Sequence, residues 1–235
     1  MFLNWNLDRT VRLFIGMAAF FSLAGISVDV LKYGFGHAHL WEFYSLLQLD
    51  SEGNLPNLYQ GLSIATTALV LRLVSRVVGS LGKPDAGRWR FLSWAFFYVA
   101  LDELLVIHER TIVPLRTAFH TSGVLYFAWL ILGFLAVTLL AFISIPWLQH
   151  LPRPVALWFL VGAFIYLSGT LAMEMVGGWY ASHLGADDLF YALITDLEEI
   201  LEMTGVLVFL STVVRYIHVL TGSTTVQLSL KGTHS

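Results

Sequence analysis

The segment TDLEEILEMTG, residues 195–205, carries four carboxylates within seven positions, although apolar sequence surrounds it. Carboxylate oxygens bind hard divalent cations, and carboxyl groups serve as general acids and bases. On a helix, Glu198 and Glu199 each lie within about 60° of Glu202, so the three form one acidic stripe. Such a stripe indicates metal binding or proton chemistry.

Two other apolar segments carry groups of the same kind. LDELLVIHE (101–109) contains acids and one histidine, and MEMVGGWY (173–180) contains one acid. Cysteine is absent, which excludes disulfides and thiolate metal sites. Oxygen ligands with an imidazole suit iron, manganese, zinc or calcium, and we therefore predict a divalent-metal site of this class. Its candidate ligands are Asp102, Glu103, His108, Glu174, Glu198, Glu199 and Glu202.

A second cation loop is a separate possibility. In LQLDSEGNLPNLYQG, Asp50, Glu52 and Asn54 alternate as oxygen ligands do in calcium loops, but no terminal bidentate Glu follows. The alternative, which we favour, is a turn with a helix cap, with Asn54 or Asn57 capping and Pro56 in the first helical turn.

The composition places these residues in a membrane. The chain is 57% hydrophobic and 12% charged, with a mean hydropathy of +0.73. Apolar stretches of about 20 residues cross a bilayer as helices. We predict one all-α membrane bundle over residues 1–220 with a loose polar cytoplasmic tail at 221–235. The predicted spans are 11–33, 58–79, 89–112, 122–145, 155–177 and 190–217.

The basic residues predict the orientation. With the N-terminus in the cytoplasm, ten of the 13 lysines and arginines are cytoplasmic, and six spans return the C-terminus to the same side. We expect a bacterial cytoplasmic membrane. Basic residues are not clustered in a way that would indicate nucleic-acid binding.

The acids of different spans are predicted to lie at matching depths. At about 1.5 Å per residue, Asp102 and Glu103 lie roughly 18–20 Å from Arg90, and Glu202 lies about 20 Å from Arg215. Along the third span, Asp102 and Glu109 are predicted to share one face, and Glu103 is predicted to share another with Arg110, where the two could pair. We also expect Glu109 and a group of further acids at the membrane interface: Asp187, Asp188 and Asp196.

Placing an ionised side chain in mid-membrane costs at least about 2.5–3.5 kcal/mol. The acids must therefore converge inside the bundle or face water. Close carboxylates also repel each other unless protons or cations lie between them, which is why we favour a bound cation.

The blocks DSEGNLP, LDELLVIHE, MEMVGGWY and EEILEMTG resemble those of uncharacterised multi-pass bacterial membrane proteins, and this resemblance implies no activity. The D-x-E-x-N of residues 50–54 is similar to the calcium-binding stretch of alkaline ceramidases, which are intramembrane zinc hydrolases. That family's zinc requires a late H-x-x-x-H, whereas this chain has EEILEM in the corresponding span.

Three functions are compatible with this pattern. The first is a metalloprotein of the lipid bilayer, with a possible enzymatic activity on a lipid or small apolar substrate. The second is a proton- or cation-coupled transporter, since intramembrane acids mark ion pathways. The third is a non-catalytic membrane subunit.

Overall fold

A computed structural model describes residues 2–36 and 41–229. These residues are almost entirely helical. The elements are β1 (Phe2–Asn6), α1 (Leu7–Asp29), a π-helical segment (Val30–Gly34), α2 (Trp41–Leu47), α3 (Leu55–Ser80), α4 (Ala86–Leu105), α5 (Glu109–Phe119), a 3-10 turn (Gly123–Leu125), α6 (Leu130–Leu148), α7 (Arg153–Leu167), a second π-helical segment (Ser168–Met173), α8 (Glu174–Leu184), α9 (Leu189–Thr221) and β2 (Thr225–Ser229).

Five helical segments are long and apolar enough to cross a membrane. They are α1 with its π-helical end, α3, α6, the continuous run of α7 through α8, and α9. Helices α4 and α5 provide a sixth if the bent pair is one crossing. The predicted all-α membrane bundle is confirmed.

The third span is not the straight helix that we predicted over 89–112. Helix α4 ends at Leu105, Val106 adopts a left-handed conformation (φ 54°), and α5 leaves at 87° to α4. The backbone N–H groups of Val106 and Ile107 both donate to the Asp102 carbonyl, which closes the helix end. The face relationships that we predicted across residues 102–110 therefore do not hold.

The first and last described elements lie together. Strands β1 and β2 pair antiparallel, with Trp5 opposite Val226, so both strands lie on one face of the bundle, which we call the face of the chain ends. A chain that crosses the membrane an even number of times has its first and last elements on the same side. The predicted loose tail is wrong for residues 225–229, which form β2, and residues 230–235 lie outside the described part of the chain.

The half of the bundle near the chain ends has an apolar core. Trp89 is fully buried, stacked on Tyr216 (ring centroids 5.1 Å apart) and edge-on to Trp147 (4.7 Å). Aliphatic side chains of α1, α3 and α9 surround these rings. This core anchors the helices whose opposite halves carry the acids.

Glycines allow α7 and α9 to pack closely. A Cβ atom on Gly205 would lie 2.6 Å from the backbone N of Tyr166, and one on Gly162 would lie 3.3 Å from the Gly205 carbonyl oxygen. Small residues at such crossings let helix backbones approach each other in membranes. This close contact of α7 with α9 at Gly162 and Gly205, which we call the seam, fixes the position of α9 along α7.

We expect Gly205→Ala to lower the free energy of unfolding by about 1–3 kcal/mol, because the added methyl group overpacks this seam. Thermal unfolding in detergent measures the loss. Gly16→Ala is the matched control, since a Cβ at that helical position meets no atom within 4 Å. Equal melting temperatures for the two variants would contradict the tight seam.

Candidate functional site

A cavity of about 280 Å³ opens in the half of the bundle opposite the chain ends. Nine carboxylates and one imidazole line it, and no lysine or arginine does so in the described part of the chain. These ten residues are Asp50, Glu52, Asp102, Glu103, His108, Glu109, Glu174, Glu198, Glu199 and Glu202. All seven predicted metal-site residues therefore face one space.

The acidic stripe of α9 faces the cavity because the second π-helical segment packs directly against it. A Cβ atom on Gly169 would lie 2.6 Å from the Glu198 carbonyl oxygen and 2.9 Å from Cγ of Glu202. Only glycine accommodates this approach. A π-helical turn is wider than an α-helical turn, and such short interruptions of α-helices are frequent at functional sites.

The break after α4 brings His108 back to Asp102. Nδ1 of His108 lies 2.7 Å from Oδ2 of Asp102, and the imidazole packs on the Trp129 ring at a centroid distance of 4.7 Å. In a straight helix, six residues separate the two side chains by about 9 Å along the axis. Among the described residues, Nε2 of His108 makes no hydrogen bond.

Glu174 begins α8 at the end of the π-helical segment. Its Oε1 accepts a hydrogen bond from Nε1 of Trp129 (2.8 Å), and its carboxyl group lies beside that of Glu198. Two carboxyl groups from different helices are thus adjacent. At an effective dielectric constant of 20, two like charges 4 Å apart repel by about 4 kcal/mol, so such a pair requires a proton or a cation.

The loop before α3 joins the same site. Asp50 and Glu52 line the cavity, whereas Asn54 caps α3, with Oδ1 accepting from the Asn57 backbone N–H (3.1 Å). Nδ2 of Asn54 donates to the Gln48 carbonyl (2.6 Å). The predicted turn and cap are present, and the two acids of the predicted second cation loop belong to the main cavity.

Both loop acids have raised pKa values. Protein atoms surround Asp50 even though part of its surface faces the cavity, and this desolvation, with the charges of Glu174 and Glu109, raises the pKa of Asp50 to about 8. Desolvation, with the charge of Glu109, raises the pKa of Glu52 to about 7. Both carboxyl groups therefore change protonation near neutral pH.

Sequence reasoning missed a set of amides around the acids. Nδ2 of Asn57 donates to Oε1 of Glu103 (3.2 Å), and the Gln60 side chain lies beside Glu202. Gln60 is only 1% exposed, yet neither amide atom completes a hydrogen bond among the described residues. Buried amides usually have partners. Asn57 and Gln60 lie three residues apart on α3, and this spacing is the sequence feature that could have identified them.

Within residues 2–36 and 41–229, no three His, Asp or Glu side chains stand close enough to hold a metal ion as they are placed, so the metal site stays a prediction. Two other predicted details are wrong. Arg110 does not pair with Glu103, because it lies beyond the break on exposed α5. Asp196 is not interfacial: it is 2% exposed and lies beside Asp29 of α1, outside the cavity.

Two comparisons, with curated proteins and with solved structures, gave no match. The similarity to alkaline ceramidases stays a resemblance of residues 50–54. A third comparison, with family models, matched residues 36–217, a range that includes every acid of the cavity. The chain therefore belongs to the family described as "Domain of unknown function (DUF8692)".

Proposed function

We propose that this protein is an integral membrane metalloprotein that binds a divalent cation in the acidic cavity. We propose further that it is an enzyme and that its substrate is a lipid or a small apolar molecule. The observation that carries the proposal is the concentration of nine carboxylates around one cavity that no described lysine or arginine lines. A cation of the iron, manganese, zinc or calcium class supplies the missing positive charge.

The arrangement of His108 supports this assignment. Histidines that ligate metals almost always donate their second ring N–H to a carboxylate or carbonyl group. The 2.7 Å contact with Asp102 occupies Nδ1 and leaves Nε2 as the ligand atom. Asp102 then orients the imidazole, and the remaining ligands come from Glu103, Glu174 and the acids of α9.

Ligand binding requires carboxyl side chains to rotate toward a shared point, because no described trio converges as the side chains stand. The cavity has room for such rotation. Gln60, whose buried amide completes no hydrogen bond among the described residues, lies beside Glu202 and would orient that carboxylate.

The opposite wall of the cavity supports an apolar substrate. Tyr98 and Val99 of α4 and Leu132, Ala136 and Val137 of α6 line this side. Tyr98, Leu132 and Ala136 are exposed on the membrane-spanning surface. An amphiphile entering between α4 and α6 places its polar group against the acids and its chain against this wall.

A bound divalent cation supplies Lewis acidity at the polar group of the substrate. Glu52 and Asp50 lie on the loop before α3 and line the cavity, and neither is among the residues assigned to the cation. We assign them the role of general base.

The location in the bacterial cytoplasmic membrane, with both chain ends in the cytoplasm, is part of this proposal and rests on the distribution of basic residues. Transport is less well supported. The half of the bundle near the chain ends is packed with the Trp89, Trp147 and Tyr216 core, which closes the direct route from the cavity. A non-catalytic subunit would show no metal-dependent activity.

We expect Asp102→Asn to weaken divalent-metal affinity by about 10–100-fold, the usual effect of losing the hydrogen-bond partner of a ligating histidine. Titration calorimetry with Mn²⁺, Zn²⁺ and Ca²⁺ in detergent measures the affinity. Asp85→Asn is the control. Asp85 immediately precedes α4, pairs with Arg88 of that helix, and does not line the cavity. No binding by the parent protein, or equal affinity in both variants, would overturn the proposal.

A further inference from the structure

A second concave surface lies on the lipid-facing side of the bundle, away from the acidic cavity. It is a groove of about 430 Å³ between α1 and α9, with Trp158 of α7 at its edge. Its walls are mostly apolar, including Ile15, Ala19 and Leu207, while hydroxyl side chains such as Ser211 and the charged residue Arg215 also line it.

The groove is somewhat longer than the hydrocarbon depth of one membrane leaflet. From Ile200 to Arg215 it follows α9 for 15 residues, which is about 22 Å. One leaflet occupies half of a hydrocarbon core of about 30 Å. Arg215 lies in the last two turns of α9, near the face where the chain ends meet. The groove therefore runs from the headgroup level of that face past the bilayer centre.

The charge at this end of the groove has no partner in the part of the chain that the structure describes. Arg215 is exposed and forms no hydrogen bond or ion pair within residues 2–36 and 41–229. Arg12, also exposed, lies three residues before Ile15 on the same side of α1 and adds a second positive charge. Asp8 at the start of α1 is engaged by the Thr224 hydroxyl (2.6 Å).

We propose that this groove binds an anionic phospholipid, with one acyl chain between α1 and α9 and the phosphate at Arg215. The apolar walls match a hydrocarbon chain, and the unpaired guanidinium at their end matches a phosphate. Basic pockets between helices on the cytoplasmic side bind anionic headgroups in this way. The inference is independent of the metal site, because the two surfaces share no lining residue.

The experiment is native mass spectrometry of the detergent-purified full chain, titrated with phosphatidylglycerol, phosphatidylcholine or glycerol phosphate. We expect phosphatidylglycerol to bind at one site, phosphatidylcholine to bind at least about fivefold more weakly, and glycerol phosphate not to bind. One basic residue near an anionic lipid is worth about 1 kcal/mol, or about fivefold in affinity.

Two variants locate the site. Arg215→Gln removes the charge and Ala19→Leu fills the groove from an exposed position; each should weaken phosphatidylglycerol binding about fivefold or more. Arg90→Gln removes an exposed basic residue of α4 at the same face and should leave binding unchanged. A melting curve for each variant checks folding.

Three outcomes would overturn the inference. The first is equal binding of the two phospholipids. The second is equal loss on Arg215→Gln and Arg90→Gln, which indicates a general charge effect. The third is a change of oligomeric mass on Ala19→Leu with lipid binding intact, which makes the groove an interface between two copies of the chain.

Discussion

Replacing Glu202 by glutamine is expected to weaken divalent-metal binding by about 100-fold or more, because a ligand is worth at least as much as the partners that orient ligands. Glu202 is the centre of the α9 stripe, 8% exposed and in contact with the second π-helical segment at Gly169. Calorimetric titration of the metal-free protein measures the change. The metal-free melting temperature should stay the same or rise, since the variant removes a repelling acid.

Asp196→Asn is the matched control for this experiment. Asp196 is also a buried acid of α9, but it lies beside Asp29 and does not line the cavity. The Asp196→Asn variant should leave the metal affinity unchanged. If Glu202→Gln and Asp196→Asn have the same effect on affinity, the cavity acids do not act as one site.

The second large effect is a reversal of the pH dependence of stability on metal binding. In the metal-free protein, the pKa values of Asp50 and Glu52 are raised to about 8 and about 7, above the ordinary values of about 4 for these groups. Between pH 4 and pH 8 the unfolded chain has therefore lost protons that the folded protein retains. Stability of the metal-free protein falls as pH rises through this window.

With metal bound, the slope has the opposite sign. Protons compete with the cation for the carboxylates, so metal-dependent stability is lost as pH falls through the same window. Melting temperatures measured from pH 4 to pH 9, with excess metal and with a chelator, should give two curves of opposite slope. Parallel curves would contradict the metal site.

A double variant assigns the metal-free slope to its residues. Asp50→Asn combined with Glu52→Gln should make that slope less steep, because two of the groups that retain protons are gone. Asp187→Asn, in the exposed loop before α9, should leave it unchanged. A slope unaffected by the double variant would mean that other acids bind the retained protons.

Helical periodicity and depth were enough to predict that seven residues of the spans share the cavity, but not that Glu109, predicted at the membrane interface, also lines it. The rise of 1.5 Å per residue put Asp102 and Glu202 at matching heights, and both line the cavity. This succeeds because membrane helices are long and nearly parallel, and because basic residues mark their ends. Capping chemistry predicted a helix cap at Asn54 or Asn57, and the structure has Asn54 as the cap of α3.

The features of the site that could not be predicted lie where the regular helices are interrupted or where a loop enters the cavity. Nothing in LLVIHE signals a left-handed turn, since Val106 is a β-branched residue for which positive φ is rare. In this conformation His108 contacts Asp102 and packs on the Trp129 ring. The entry of Asp50 and Glu52 into the cavity follows from the path of a loop, which hydrophobic periodicity does not define.

The measurement that tests the metal site most directly is anomalous X-ray scattering from crystals of the protein grown with Mn²⁺ or Zn²⁺. We expect a single strong peak inside the cavity, within coordination distance of Nε2 of His108 and of carboxylate oxygens from α9, including Glu202. The peak should be absent in crystals of Glu202→Gln. A metal-loaded parent crystal with no peak in the cavity, or with a peak only at the protein surface, would contradict the proposal that these acids form a metal site.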